Sequence, residues 1–185
     1  LEQATNQMAQ AAIYAHEKTR QRISKGDKSL EKNPLFISPE GWRPEDFGSH
    51  PDELRKLITD ARKKTSDVLV NQKGYSEAKA EKIANQSIKA TKDIGHMNTW
   101  RKFFVKKSDE SEEAYHKRFD NWLIRETDKL AKDGLIGHVH LSDNYGYNDE
   151  HLAIGDGNAP IKDFMAVMRK NGVDDFIVEA GSFNP

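Results

Sequence analysis

Helical and extended patterns alternate along this 185-residue chain, and each of four short apolar segments follows a longer helical stretch. Apolar residues recur at helical spacing in the long stretches, whereas the short segments are apolar runs of the length that forms buried strands. This α-β-α-β-α-β-α-β order is typical of a parallel sheet covered by helices. The strands are predicted at residues 35–37, 90–94, 136–141 and 176–179. The fold class is therefore predicted to be α/β.

Each predicted strand is followed or ended by a side chain that can bind a metal ion. These residues are Glu40, Asp93 with His96, His140, and Glu179. A doubly wound sheet gathers its ligands at one switch point, whereas a closed barrel gathers them from successive strands around a ring. A potential ligand at every strand end fits the barrel better.

The richest stretch is HVHLSD at residues 138–143, followed by DEH at 149–151 and GDG at 155–157. Imidazole and carboxylate groups together are the usual ligands of zinc, manganese or iron where thiolates are not needed. His138 shares a strand face with His140, and we interpret it as a packed residue rather than a ligand. Asp149 is either a ligand or a loop acid, and the GDG loop is either a tight turn or a phosphate-binding loop.

Composition excludes several classes of protein. The chain has no cysteine, which removes disulfides, thiolate metal sites and cysteine nucleophiles. No apolar run reaches the roughly 18 residues of a membrane span, and the first residues lack the pattern of a signal peptide. The formal net charge of -1 gives no electrostatic reason to expect nucleic acid. We therefore expect a cytoplasmic, soluble protein.

Several segments, read in order, resemble the C-terminal half of the xylose isomerase-like TIM barrels. This superfamily contains sugar and sugar-phosphate isomerases and epimerases as well as endonuclease IV. The similar segments are PLFISPE (34–40), DIGH (93–96), HVHLSDN (138–144), DEH (149–151), GDG (155–157) and FIVE (176–179). The resemblance implies strands five to eight of a (β/α)8 barrel and most of the chain between them.

The resemblance also implies roles for the residues at the strand ends. Glu40, Asp93, His140 and Glu179 would be metal ligands, with Glu40 and Glu179 also moving the proton next to a substrate carbonyl. In the endonuclease branch, the positions of His96, Asp149 and His151 are additional ligands; in the isomerase branch, they face substrate. A ligand set rich in oxygen favours Mn²⁺ or Mg²⁺ over Zn²⁺ or Fe²⁺.

Two tryptophans follow strand ends, where an aromatic wall against a sugar ring is expected. They are Trp42 and Trp100, although tryptophan is more often a core residue.

The expected substrate is a sugar or sugar phosphate, and the expected reaction is isomerisation or epimerisation. The alternatives are an endonuclease IV-like zinc phosphodiesterase and a non-catalytic half-barrel that serves as an assembly module.

Length sets the predicted domain organisation. A complete (β/α)8 barrel takes about 250 residues, and this chain offers four strands. Residues 1–185 are therefore predicted to form one partial TIM-barrel domain, with charged helical insertions at about 43–88 and 101–133. The expected partner is the N-terminal half of the barrel or a second copy of the chain. Activity is expected of the full-length parent and not necessarily of this half alone.

Overall fold

The computed structural model describes residues 1–181. The chain divides into two compact units. The first comprises Leu1–Pro39 and Leu54–Ala90, and the second comprises Glu40–Glu53 and the chain from Thr91 onward. All of the predicted site residues fall in the second unit.

The first unit is helical. It contains α1 (Glu2–Ser24), α2 (Ser29–Lys32), most of α3 (Pro51–Lys73) and α4 (Glu77–Ser87). Helix α3 begins with a proline and carries two acids in its first turn, as suits the unpaired amides of a helix start. The apolar core of the first unit includes Ile13, Leu69, Ala80 and Ile83. None of the helices within residues 1–181 is long and apolar enough to cross a membrane.

The second unit is built on a parallel three-stranded sheet in the order β1-β2-β3. The strands are β1 (Ala90–Asp93), β2 (Ile136–Leu141) and β3 (Phe176–Val178). In the parallel register of β2 with β3, His140 lies opposite Ile177. Between the strands lie α5 (Ile94–Asn98), a 3-10 helix (Thr99–Phe103), α6 (Glu112–Lys132) and α7 (Ile161–Lys170).

Helices α6 and α7 pack together and bury the largest apolar side chains of this unit. Phe119 and Leu123 on α6 and Phe164 and Met168 on α7 are fully buried. Helix α6 begins where the Ser111 hydroxyl accepts a hydrogen bond from the Ala114 amide.

The structure has long helices between the short apolar segments, as the alternating pattern predicts, and it confirms three of the four predicted strands. The remaining predicted strand, residues 35–37, is the first in chain order and is not regular. Ile37 makes one isolated parallel bridge to Ile88. Prolines flank this segment at 34 and 39, and the Leu35 amide donates to the Thr19 hydroxyl instead of a strand. The helices α2 and α5 and the 3-10 helix were not predicted. The single partial-barrel domain with insertions at 43–88 and 101–133 stays a prediction.

The loop after β2 is folded around the carboxylate of Asp143. Its Oδ2 accepts hydrogen bonds from the amides of Gly155 and Gly157 at 3.0 and 3.1 Å, and its Oδ1 accepts from those of Asn144 and Ala159 at 2.9 and 3.0 Å. The glycine loop therefore directs its amides at an internal carboxylate. The alternative that the GDG loop binds a phosphate through these amides is wrong for this conformation, because the amides of Gly155 and Gly157 already donate to the Asp143 carboxylate.

Gly157 makes the closest approach in this loop. A Cβ at this position would lie 2.3 Å from Asp143 Oδ1 and 2.4 Å from the carbonyl oxygen of Asn144. We expect Gly157→Ala to lower the free energy of unfolding by about 1–3 kcal/mol, because the loop must move to admit the methyl group. Urea unfolding measures this change.

Gly181→Ala is the matched control, because its Cβ would meet nothing closer than the His151 Cβ at 3.9 Å. Equal free energies of unfolding for the two variants would contradict the close approach at Gly157.

Candidate metal centre

The four residues predicted as metal ligands lie on neighbouring chain segments of the second unit. Glu40 forms an isolated parallel bridge with Thr91, and Asp93 is the last residue of β1. His140 lies in β2, and Glu179 follows β3, where its amide donates to the Leu141 carbonyl. Because the strands run parallel, their carboxyl ends meet at one edge of the sheet.

Three of these side chains present ligand atoms to a common space. One ligand atom each from Glu40, Asp93 and His140 lies within 4.8 Å of the others. His140 Nδ1 is 3.3 Å from Glu40 Oε1 and 3.2 Å from Glu179 Oε1. Glu179 therefore reaches the same imidazole from a different strand. We call Glu40, Asp93, His140 and Glu179 the strand-end group.

Two buried atoms of the strand-end group make no hydrogen bond. They are Asp93 Oδ2 and His140 Nδ1. The contacts of His140 Nδ1 with Glu40 and Glu179 lack hydrogen-bond geometry. Buried polar atoms are ordinarily paired, because leaving one unpaired costs free energy. Oxygen and nitrogen atoms that converge without partners fit a divalent cation, so the residues present suit the metal implied by the sequence.

The orientation of Asp93 is fixed by its other oxygen. Oδ1 accepts hydrogen bonds from the Gly95 amide at 2.6 Å and from the Ser142 hydroxyl at 2.9 Å. Gly95 must lack a side chain, because a Cβ there would lie 2.1 Å from Ser142 Oγ. These contacts leave Oδ2 available to a cation. The sequence analysis did not single out Ser142, although the two-residue strand period places it on the same face as His140.

We expect Ser142→Ala to weaken Mn²⁺ binding by about 10- to 100-fold, because residues that orient a metal ligand typically contribute this much. Isothermal titration calorimetry measures the dissociation constant. Ser108→Ala, on an exposed loop, is the matched control. Unchanged Mn²⁺ affinity in Ser142→Ala would show that Asp93 needs no help from this hydroxyl.

A second group of three side chains lies in the same unit. One ligand atom each from His96, Asp149 and His151 lies within 4.8 Å of the others, and we call this the loop group. Asp149 Oδ2 is 3.2 Å from His96 Nε2 and 3.0 Å from His151 Nε2, while its Oδ1 is buried without a hydrogen-bond partner. Glu40 links the two groups, since its Oε1 is 3.4 Å from His96 Nδ1.

The backbone determines which nitrogen of each loop-group imidazole carries a proton. His96 Nδ1 is 3.0 Å from the Gly41 carbonyl oxygen, and His151 Nδ1 is 2.9 Å from that of Glu179. A carbonyl oxygen only accepts, so each Nδ1 donates and each Nε2 is left for Asp149 or a cation. Metal-binding histidines usually have this arrangement. His151 also has a φ of 51°, a left-handed conformation that is uncommon outside glycine.

Charge perturbs the protonation of these side chains. Burial lowers the pKa of His96 and His151, but hydrogen bonds and nearby acids outweigh burial and leave both pKa values above 6.5. For His96 the main opposing contact is Asp149; for His151 the Glu179 carbonyl and Asp149 act together. Burial raises the pKa of Glu40, against the pull of His96 and His140.

Lys92 is a buried cation that the sequence analysis did not single out. It lies on β1 and is 2% exposed. Burial lowers its pKa to about 8, and the carboxylates of Asp93 and Glu40 oppose that change. A positive charge close to these acids offsets part of their mutual repulsion. The only signal in the sequence was a lysine inside a predicted buried strand.

The metal-free protein is expected to lose stability as the pH rises through the raised pKa values of His96 and His151. Both imidazolium ions stabilise the folded chain fully below about pH 6.5, the unfolded value, and this contribution disappears above the folded values. In Asp149→Asn this part of the pH dependence should flatten, because the carboxylate that raises both pKa values is gone. Melting temperatures of both proteins from pH 6 to 9 test this. Parallel curves would contradict it.

The predicted aromatic wall is divided between two environments. The Trp42 indole donates to Asp149 Oδ2 at 3.2 Å, beside the loop group. Trp100 packs edge-on against His50, with ring centroids 5.1 Å apart, and is not among the residues lining the pocket beside the loop group. His138 Nδ1 lies 3.3 Å from Asp175 Oδ2, as suits a packed residue.

A pocket of about 190 Å³ opens beside the loop group. Its walls carry both aromatic and charged side chains. The lining residues are Trp42, Arg43, Pro44, His96, Thr99, Lys102, Tyr147, Asn148 and Asp149.

Potential metal ligands at the carboxyl ends of parallel strands define this chain as an α/β protein with its candidate site at the strand ends, where such proteins commonly have their sites. The chain belongs to the xylose isomerase-like TIM barrel family, whose model matches residues 74–185. This confirms the resemblance inferred from the sequence motifs. The match includes every strand of the described sheet.

One curated relative is an uncharacterised protein, MJ1311, from Methanocaldococcus jannaschii. It is 43% identical over 51 residues, which are 27% of this chain and 17% of that protein. The aligned part therefore spans less than a fifth of the relative. No solved structure matches the chain significantly.

Proposed function

We propose that this chain carries the metal centre of a divalent-metal-dependent sugar or sugar-phosphate isomerase or epimerase. The observation that carries the proposal is the pair Glu40 and Glu179, which approach one imidazole nitrogen, that of His140, from different segments. Two carboxylates beside a cation site can act as the groups that remove and return a proton next to a carbonyl. Membership of the xylose isomerase-like family is consistent with this chemistry.

Four ligands would hold the ion in the strand-end group: Glu40, Asp93, His140 and Glu179. Three carboxylates with one imidazole favour Mn²⁺ or Mg²⁺, whereas the two imidazoles of the loop group suit Zn²⁺ or Fe²⁺ better. A bound divalent ion would supply the positive charge that stabilises the anion formed when a proton leaves the carbon next to a carbonyl.

The remaining steps belong to the side chains. Partial burial raises the pKa of Glu40, which brings this carboxylate closer to the pH at which a general base is effective. Glu179 reaches His140 from β3 and would return the proton from another direction. His96 would hold a substrate hydroxyl, since it lines the pocket together with Asp149. Trp42, fixed by Asp149, would cover one face of a sugar ring.

We propose further that the sheet is the C-terminal half of a (β/α)8 barrel and is completed by more chain or by a second copy. The support is β3, where Ile177 and Val178 are 47% and 56% exposed. An exposed apolar strand is an unfavourable surface unless something covers it. Activity is therefore proposed for the complete barrel.

The proposed reaction is tested by exchange of the proton next to a sugar carbonyl with deuterium from D₂O. The complete protein loaded with Mn²⁺ is expected to exchange the C3 proton of a ketose or the C2 proton of an aldose, as NMR would show. Glu40→Gln should abolish the exchange, because the carboxylate that takes the proton is gone. Asp149→Asn should reduce it less, since Asp149 lies outside the strand-end group.

Asp109→Asn, an exposed acid near α6, is the matched control and should retain full exchange. Bound metal, measured by elemental analysis for each variant, separates loss of the ion from loss of the base. Full exchange in Glu40→Gln with normal metal content would refute the role of this glutamate.

The loop group favours a second candidate function, that of an endonuclease IV-like zinc phosphodiesterase. Phosphodiester cleavage commonly uses several metal ions, and His96, Asp149 and His151 are arranged to hold one beyond the strand-end group. Under this function the complete protein would nick DNA at an abasic site, and Asp149→Asn would be as damaging as Glu40→Gln. Nicking without any sugar proton exchange would establish this second function in place of the first.

A further inference from the structure

We infer that Arg43 and Lys102 form a subsite beside the loop group that binds the phosphate monoester of a phosphorylated sugar. The inference rests on the proposed function, which makes a sugar the substrate. It adds the place where the phosphate of that sugar would bind. The feature behind it is the pocket of about 190 Å³, whose lining includes both cations together with His96 and Asp149.

Arg43 is held at the pocket by an aromatic ring. Its guanidinium carbon lies 4.5 Å from the centroid of the Trp42 ring, and the Trp42 indole donates to Asp149. A guanidinium stacked on a fixed indole loses less freedom when it binds an anion than a freely rotating side chain does. Arg43 therefore offers an oriented fork of donors next to the loop group.

Lys102 enters the pocket from another segment, the 3-10 helix Thr99–Phe103. Its Nζ lies 5.1 Å from the centroid of the Phe103 ring and 3.3 Å from Glu45 Oε1. The two cations of the pocket thus come from chain segments far apart in sequence. Their meeting is a product of the fold and not of a local basic run.

Both cations are paired only with exposed carboxylates in the contacts of the described residues. Arg43 Nε is 3.2 Å from Asp46 Oδ2, and the side chains of Asp46 and Glu45 are 45% and 56% exposed. Exposed ion pairs of this kind stabilise proteins little, so an incoming anion displaces them at small cost. An oxyanion can then accept hydrogen bonds from both cations at once.

Charge and size select the anion. A phosphate monoester carries nearly two negative charges at neutral pH, which two cations match, whereas a carboxylate carries one. The pocket is smaller than the roughly 300–1,000 Å³ of sites for drug-sized ligands. It therefore suits a phosphorylated sugar whose reacting carbons extend toward Glu40, since His96 lines the pocket and contacts Glu40.

The test measures binding of inorganic phosphate by isothermal titration calorimetry, with and without a chelator, so that binding to a metal ion is separated from binding to the cations. Lys102→Gln and Arg43→Gln should each weaken phosphate binding about tenfold. Glu45→Gln should strengthen it, because it removes the carboxylate that competes for Lys102. Loss of structure alone would not produce opposite effects at two adjoining positions.

Lys117→Gln and Arg125→Gln, exposed on α6, are the matched controls and should bind phosphate as the unaltered protein does. Acetate should bind more weakly than phosphate. Equal binding of acetate and phosphate, or equal phosphate affinity in Lys102→Gln and Lys117→Gln, would overturn the subsite. So would tight binding of an abasic-site oligonucleotide that depends on Lys102 while inorganic phosphate does not bind.

This test is independent of the proposed reaction. If phosphate binds as expected but no sugar proton exchanges, the subsite stands and the isomerase proposal fails. If free sugars exchange and phosphate does not bind, the reaction stands and the subsite fails. If both hold, the KM for a sugar phosphate should rise in Lys102→Gln while that for the free sugar stays unchanged.

Discussion

The site depends on how the carboxylate of Asp93 is divided between two tasks. One oxygen accepts from the Gly95 amide and the Ser142 hydroxyl, and the other is buried without a hydrogen-bond partner. The first oxygen joins the end of β1 to the end of β2, and the second faces the space that Glu40 and His140 also face. The same side chain therefore joins the two strand ends and leaves one buried oxygen that a cation would satisfy. An asparagine here would preserve the first task and impair the second.

The strand-end residues could be predicted from the sequence because the argument needs only the positions where apolar runs stop. Asp93, His140 and Glu179 follow or end strands that the structure contains, and Glu40 makes a backbone bridge to β1 even though its own predicted strand is irregular. The parallel order of the sheet then brings these positions to one edge. The alternation of helices and strands along the chain predicts such a parallel sheet.

The contacts that orient the ligands could not be predicted in the same way, because they depend on atoms brought together by folding. Ser142 meets Asp93 only when β1 and β2 are neighbours, and Lys102 and Arg43 line one pocket only when the 3-10 helix reaches the loop after Glu40. The glycine loop illustrates the same limit. Its composition suited a phosphate cradle, yet the amides of its two glycines hold Asp143.

The tautomers of His96 and His151 affect the thermodynamics of metal uptake. Each Nδ1 donates to a backbone carbonyl, so a proton on Nε2, beside Asp149, must leave before a cation can take its place. Filling the loop group therefore releases up to two protons into the solvent. The heat measured on adding metal then contains the ionisation enthalpy of the buffer, multiplied by the protons released. The same uptake will look exothermic in one buffer and nearly athermal in another, although the ligand contacts are unchanged.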